Sequence, residues 1–128
     1  MLKRQLWGLV GAAAAVLAVD GAHAAGGDAK AGEKVFVQCK VCHKIDASGS
    51  SGVGPNLNKV AGRKSGTLPG FKYSPAMVAA KRVWTDAALD AYLAAPAKAM
   101  PGNRMPYAGL SNPADRRNVI AYIKSMAR

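Results

Sequence analysis

Apolar positions recur at helical spacing in several stretches of the chain and form no convincing alternating strand. Asp28 is placed to cap a helix running from about Ala29 into the Cys39 region, with Val35, Phe36 and Cys39 on its apolar face. Ser74-Pro75 marks the cap and first residue of a short helix. Thr85 caps another from about Asp86 to Ala94, with Leu89, Tyr92 and Leu93 inward and Pro96 as the stop. Asn112-Pro113 opens the last helix, whose apolar face is Val119, Ile120, Tyr122, Ile123 and Met126. There is no repeat and no second domain. The expected fold is all-α, three to five helices joined by long loops.

Two features of the pattern need a reason. Gly32 sits inside the first helix, four residues before Phe36, where glycine costs about 1 kcal/mol against alanine. It either admits a close helix neighbour or is an accident of sequence. Residues 46–72 carry six glycines, with Pro55 and Pro69, and little periodicity. So long a loop in a small domain is unusual unless it has a task, such as wrapping a cofactor.

The N-terminus has a different pattern. Lys3 and Arg4 precede an apolar run of 11 residues, Leu9 to Val19, and Ala22-His23-Ala24 is an A-x-A cleavage sequence. The run falls short of the roughly 20 residues a membrane span needs. Residues 1–24 are therefore expected to be a cleaved secretory signal peptide, leaving residues 25–128 as the domain. Loss of Lys3, Arg4 and Asp20 takes the formal charge from +11 to +10.

Composition narrows the class. Half of the 128 residues are hydrophobic, but alanine supplies many of them, and there are only two Trp, four Tyr and two Phe. A domain this small has a marginal core and gains from a staple. The positive charge invites a nucleic-acid reading, but the aromatic residues do not interleave with the basic ones and no nucleic-acid motif is present. Scattered cations fit a solvated surface, or a positive face that steers encounter with an acidic partner.

The sharpest chemistry is Cys39-Lys40-Val41-Cys42-His43, the C-x-x-C-H signature of c-type haem attachment. Cysteines three apart share one face of a helical turn, so both sulfurs can form thioethers to the vinyl groups of one haem. The adjacent imidazole can then bind iron. The competing readings are a thioredoxin-like thiol pair, which should follow a strand in a βαβ pattern, and a zinc site, which needs about four Cys/His ligands. The chain has two cysteines and two histidines, and His23 lies in the expected leader. Gly54-Pro55 offers a carbonyl that could accept the second ring N–H of an iron-ligating histidine, or an ordinary turn. For the other axial position, Met77 and Met126 sit on helices where packing is the default. Met100 and Met105 lie in an extended Pro/Gly-rich segment, and chemistry alone does not choose between them.

In order and spacing the chain resembles the class I cytochromes c, close to the bacterial cytochrome c2 and mitochondrial cytochrome c branch. The resemblance rests on Cys39 to His43, Gly54-Pro55-Asn56-Leu57, Gly62 to Gly66, Pro69 to Tyr73, Trp84, Tyr92, Pro101 to Met105 and Ile120 to Ile123. It implies one covalent haem c held through Cys39 and Cys42, with the long loops wrapped around it and His43 and Met105 as axial ligands. Met100 falls at a packing position, and Pro55 matches the proline whose carbonyl holds the histidine. Arg63, Tyr73 and Trp84 match groups that hydrogen-bond the haem propionates or their waters. Tyr92 matches a tyrosine near the methionine, and Gly32, Phe36 and Tyr122 match a crossing of the first and last helices.

The departures are Met77 for a frequent asparagine, Asn103 for a threonine, Tyr107 for a phenylalanine, and Gln38, Ala97, Ser111 and Asn112 where mitochondrial relatives carry lysines. Lys40, Lys44, Lys98 and Arg104 remain as a candidate positive rim.

The function implied is a periplasmic mono-haem electron carrier, not an enzyme. The expected molecule is a monomer that neither enters the membrane after cleavage nor binds nucleic acid. A quinol–cytochrome c oxidoreductase, a terminal oxidase, a photosynthetic reaction centre or a periplasmic dehydrogenase would be partners of the right kind. The alternative is a haem peroxidase or small-gas sensor in which the methionine is displaced.

Overall fold

The computed structural model describes residue 8, residues 10–15 and residues 26–128. The charged start of the expected leader and its Ala22-His23-Ala24 sequence lie outside them. Among the described residues five helices follow in order: α1 (Ala29–Phe36), α2 (Pro75–Ala80), α3 (Asp86–Ala94), α4 (Pro96–Ala99) and α5 (Pro113–Ser125). Among the described residues there is no strand, only one isolated antiparallel bridge between Lys64 and Val83.

The helix starts are where their caps place them. Asp28 accepts from the amides of Lys30 and Ala31, Ser74 from Met77, Thr85 from Ala88, and Asn112 from Ala114. Each cap satisfies amides that the first helical turn leaves without a partner. Two ends differ from expectation. α1 stops at Phe36 rather than continuing to Cys39, because the chain tightens there: Cys39 N–H donates to Phe36 O at 2.8 Å. Pro96 ends α3 but also opens α4, since a proline at the first helical position loses no intrahelical bond.

The frame is the crossing of α1 and α5. Gly32 and Phe36, one turn apart, are the buried positions of α1. A Cβ at Gly32 would overlap the Asn118 carbonyl and stand 2.9 Å from Tyr122 Cβ, so the backbones meet only because residue 32 is glycine. Phe36 and Tyr122 pack as a tilted ring pair with centroids 5.1 Å apart. Asn118 Oδ1 also accepts from Asp28 N–H at 2.8 Å, tying the start of α1 to the middle of α5. Val119, Ile120 and Ile123 of α5 and Leu89 and Tyr92 of α3 extend this core, and Val60, Trp84 and Met100 join it from outside the helices. Residues 37–74 and 100–112 extend from the frame as loops.

Candidate haem site

The two cysteines sit on one tight turn. Cys42 N–H donates to Cys39 O at 3.1 Å, and His43 N–H to the same carbonyl at 2.9 Å. Both thiols are unpaired and half-buried, and burial pushes the Cys39 thiol up from its ordinary value. The turn follows directly on Phe36, so the α1–α5 crossing fixes its position. Among the described residues no group of three or more His, Cys, Asp or Glu side chains gathers, which leaves a zinc reading without its donor set.

His43 is held by the loop that follows. Its Nδ1–H donates to Pro55 O at 2.7 Å; proline has no N–H, and a carbonyl can only accept. The neutral ring then has its lone pair on Nε2. Burial lowers the imidazole's pKa, against the opposing pull of the Pro55 carbonyl, and so favours that neutral, ligating form. Gly54 makes room for the ring: a Cβ there would lie 2.5 Å from Cε1 and 2.8 Å from Nδ1. Gly54 N–H donates to Cys42 O at 2.9 Å, which brings the Gly54-Pro55 corner back onto the cysteine turn.

The two candidate methionines fall in different surroundings. Met100 is buried at 4% exposure in the protein core, whereas Met105 is partly exposed at the edge of that core. Met105 N–H donates to Asn103 Oδ1 at 2.9 Å, and Tyr92 O–H donates to the same oxygen at 3.3 Å. Burial raises the Tyr92 phenol to about 12, with Arg82 pulling the other way. Tyr107 N–H donates to Met105 O, and Tyr107 O–H donates to Gln38 Oε1, both at 2.9 Å. The methionine segment is thereby joined to the residue preceding Cys39. Tyr107 and Gln38, two of the departures from the family pattern, are partners of each other.

Arg63, Trp84 and Tyr92 also come together. Trp84 N–H donates to Arg63 O at 2.9 Å, Gly62 N–H to Trp84 O at 2.8 Å, and the Trp84 and Tyr92 rings pack with centroids 5.1 Å apart. The Arg63 guanidinium is aimed by the carbonyls of Asn58 and Asn56 at 3.2 and 3.3 Å. Its side chain lines a cleft of about 510 Å³ together with Lys59 and Leu68. Tyr73 stands apart from this group. Its hydroxyl accepts from Leu68 N–H at 3.3 Å, and its ring meets Phe71 edge-on.

Sequence reasoning gave no role to two residues that hold the loops. Asn56, 1% exposed, donates to Asp46 O, Asp46 Oδ1 and Ser50 O and accepts from Asn58 N–H. Ser65, 2% exposed, donates to Met77 O and accepts from Arg82 N–H. Both lie in stretches that carry the family resemblance, Asn56 after Gly54-Pro55 and Ser65 between Gly62 and Gly66, but neither stretch names their partners. Charge is also unevenly placed. Between Asp46 and Asp86 the chain carries Lys59, Arg63, Lys64, Lys72, Lys81 and Arg82 and no carboxylate, and between Asp90 and Asp115 it carries Lys98 and Arg104 and none. All the acidic residues of the described chain except Asp46 therefore lie on α1, α3 and α5 or cap them.

Two free thiols on one turn, a braced histidine with Nε2 available, and glycine at the position facing its ring fit a c-type haem protein. The sequence model of the cytochrome c family matches residues 29–127. Cytochrome c2 of Rhodomicrobium vannielii is 48% identical over 99 residues, covering 77% of this chain and 79% of that protein. Cytochrome c2 of Rhodoblastus acidophilus is 47% identical over 97 residues, covering 76% and 91%. The solved structure of cytochrome cH from Methylobacterium extorquens superposes with a TM-score of 0.74 at 41% identity, covering 77% of this chain and 99% of that one. The chain belongs to the cytochrome c family, as a class I c-type cytochrome close to the cytochromes c2. With that membership come one covalent haem c and electron transfer to and from redox proteins.

Proposed function

We propose that this chain is a periplasmic electron carrier in which Cys39 and Cys42 hold the haem and His43 and Met105 bind its iron. Bound haem supplies a one-electron Fe(III)/Fe(II) couple. The observation that carries the ligand reading is the Nδ1–H bond from His43 to Pro55 O at 2.7 Å, which fixes the tautomer and points the basic nitrogen away from the loop. Met105 is preferred to Met100 because Met100 is committed to the protein core while Met105 remains partly accessible on a segment gripped from both sides. Arg63 and Trp84 serve the propionate side together, and Tyr73 serves it from its separate position beside Leu68 and Phe71; Tyr92 backs the methionine segment.

Export is part of the proposal. Residues 1–24 are removed as a signal peptide, and residues 25–128 work in the bacterial periplasm. Among the described residues no helix is long and apolar enough to cross a membrane. The carboxylate-free stretches favour docking to acidic redox partners of the kinds named above, through a small interface steered by charge, so salt should slow the exchange.

The test is the visible spectrum of the exported protein, oxidised and reduced, before and after acid–acetone extraction. Haem that stays with the polypeptide, low-spin and with the weak long-wavelength ferric band of sulfur–iron ligation, is expected. Covalent haem with a high-spin spectrum and rapid carbon monoxide binding would overturn the carrier reading in favour of an enzyme or sensor.

A further inference from the structure

Asn103 uses nearly all of its bonding capacity within one turn. Met100-Pro101-Gly102-Asn103 closes with Asn103 N–H donating to Met100 O at 3.1 Å, and Gly102 takes φ 87°, the conformation the third residue of a type II turn requires. The side chain then reaches in two directions. Nδ2 donates to Pro96 O at 3.0 Å and to Met100 O at 2.9 Å, gripping α4 at both ends. Oδ1 accepts from Met105 N–H and from the hydroxyl of Tyr92, a residue 7% exposed on α3. The amide orientation is fixed by chemistry, since the reverse would set an oxygen against two carbonyls and an NH2 against two donors. Threonine could supply the acceptor but not the two donors that hold α4.

We propose that Asn103 is a positioning residue for Met105, coupling α3 and α4 to the methionine's backbone so that an added ligand displaces the sulfur slowly. The proposal rests on the reading of Met105 as an iron ligand. It concerns a simple exchange: an iron–nitrogen bond to neutral imidazole forms as the iron–sulfur bond breaks, with no electron or net proton transferred. Breaking that bond lets Met105 leave only if its segment moves. Four side-chain hydrogen bonds at residue 103 oppose the movement, each worth a factor of several in the opening equilibrium.

The experiment mixes ferric holoprotein with imidazole and follows loss of the sulfur–iron band by stopped flow. Asn103→Ala should speed the loss at least about tenfold, with the band of the starting protein still present. Asn103→Thr should fall between Asn103→Ala and wild type, and it carries the test if the alanine variant does not accumulate. Asp28→Ala is the control: it removes the cap of α1, whose partners are all on α1 and α5, and should lower the urea midpoint without changing the exchange rate. Exchange within about twofold of wild type in both Asn103 variants would overturn the proposal, as would an Asp28→Ala rate equal to that of Asn103→Ala. A wild type without the sulfur–iron band would overturn the ligand reading itself, and the proposal with it.

Discussion

Gly32 and Asn56 are both buried, and the two halves of the molecule they belong to are held together in opposite ways. At Gly32 the chain has no side chain at all. α1 lies against α5 by backbone contact, and the surrounding Phe36, Val119, Tyr122 and Ile123 are almost fully removed from water. At Asn56 the chain is held by one carboxamide reaching four loop groups, and the neighbouring Ser51, Leu57 and Asn58 are only half-buried. The helical frame is a small core closed by protein atoms. The loop half is shaped by polar side chains bonded to backbone; Val60 and Met100 reach into the core, but other apolar groups there, among them Leu57 and Met105, are left partly uncovered. A covalent haem fits that division: the frame fixes the attachment turn, and the loops form a shell whose apolar surface a large flat group completes.

The comparison can be broken at several points. The largest effect belongs to the frame. Gly32→Val would drive a branched side chain into the Asn118 backbone, which cannot retreat, and should cost about 3 kcal/mol or more of folding stability. Thermal melting would show this as a protein that fails to fold or melts far earlier. A melt close to wild type would mean that the crossing is looser than its contacts imply.

Asn56→Ala should come next, at about 2 kcal/mol, since it removes a buried carboxamide that holds the carbonyls of Asp46 and Ser50 and the Asn58 amide. The loss should be local. Hydrogen exchange is expected to speed in residues 46–58 while the α1 and α5 amides keep their protection. Uniform acceleration across both halves would remove the distinction drawn here.

The smallest effect is conditional on pH. Tyr92 is raised to about 12 in the folded chain, from an ordinary value near 10, because burial disfavours the phenolate. Between those values the unfolded chain releases its proton first, so the Tyr92 contribution is fully present below about pH 10 and is lost as pH rises toward 12. Tyr92→Phe should therefore flatten the decline of stability over that window and leave its slope near neutrality unchanged. An equal decline in both proteins would show that Tyr92 does not govern it.

Much of the frame was legible in the sequence because its rules are local. Asp28, Ser74, Thr85 and Asn112 announce their helices through one side-chain oxygen each, and Val119 to Ile123 recur at helical spacing. The end of α1 and the turn called α4 were missed because both depend on how tightly the chain winds around Phe36 and Pro96, which periodicity does not record. In the loop half, the motif from Cys39 to His43 was readable as chemistry, while Gly54-Pro55 read equally as an acceptor or an ordinary turn; the family resemblance pointed to the acceptor, and His43 does bond to Pro55 O. Asn56, Ser65 and the full reach of Asn103 were not readable. Their partners are backbone groups of distant or irregular segments, and nothing in the residue type says which carbonyl it will meet. The pairing of Tyr107 with Gln38 shows the same limit: two unexplained departures explain each other only when 69 positions of sequence separation are folded together.

The most direct test of the haem shell compares Met105→Ala with Met100→Ala in the exported holoprotein. Met105→Ala should keep haem bound through Cys39 and Cys42, verified by the mass of the intact chain, and lose the long-wavelength ferric band. Met100→Ala should keep both the haem and the band, with a lower melting temperature from the cavity it leaves in the core. Loss of the band in Met100→Ala with retention in Met105→Ala would contradict the account, placing the sulfur ligand in the protein core and the accessible methionine outside the site.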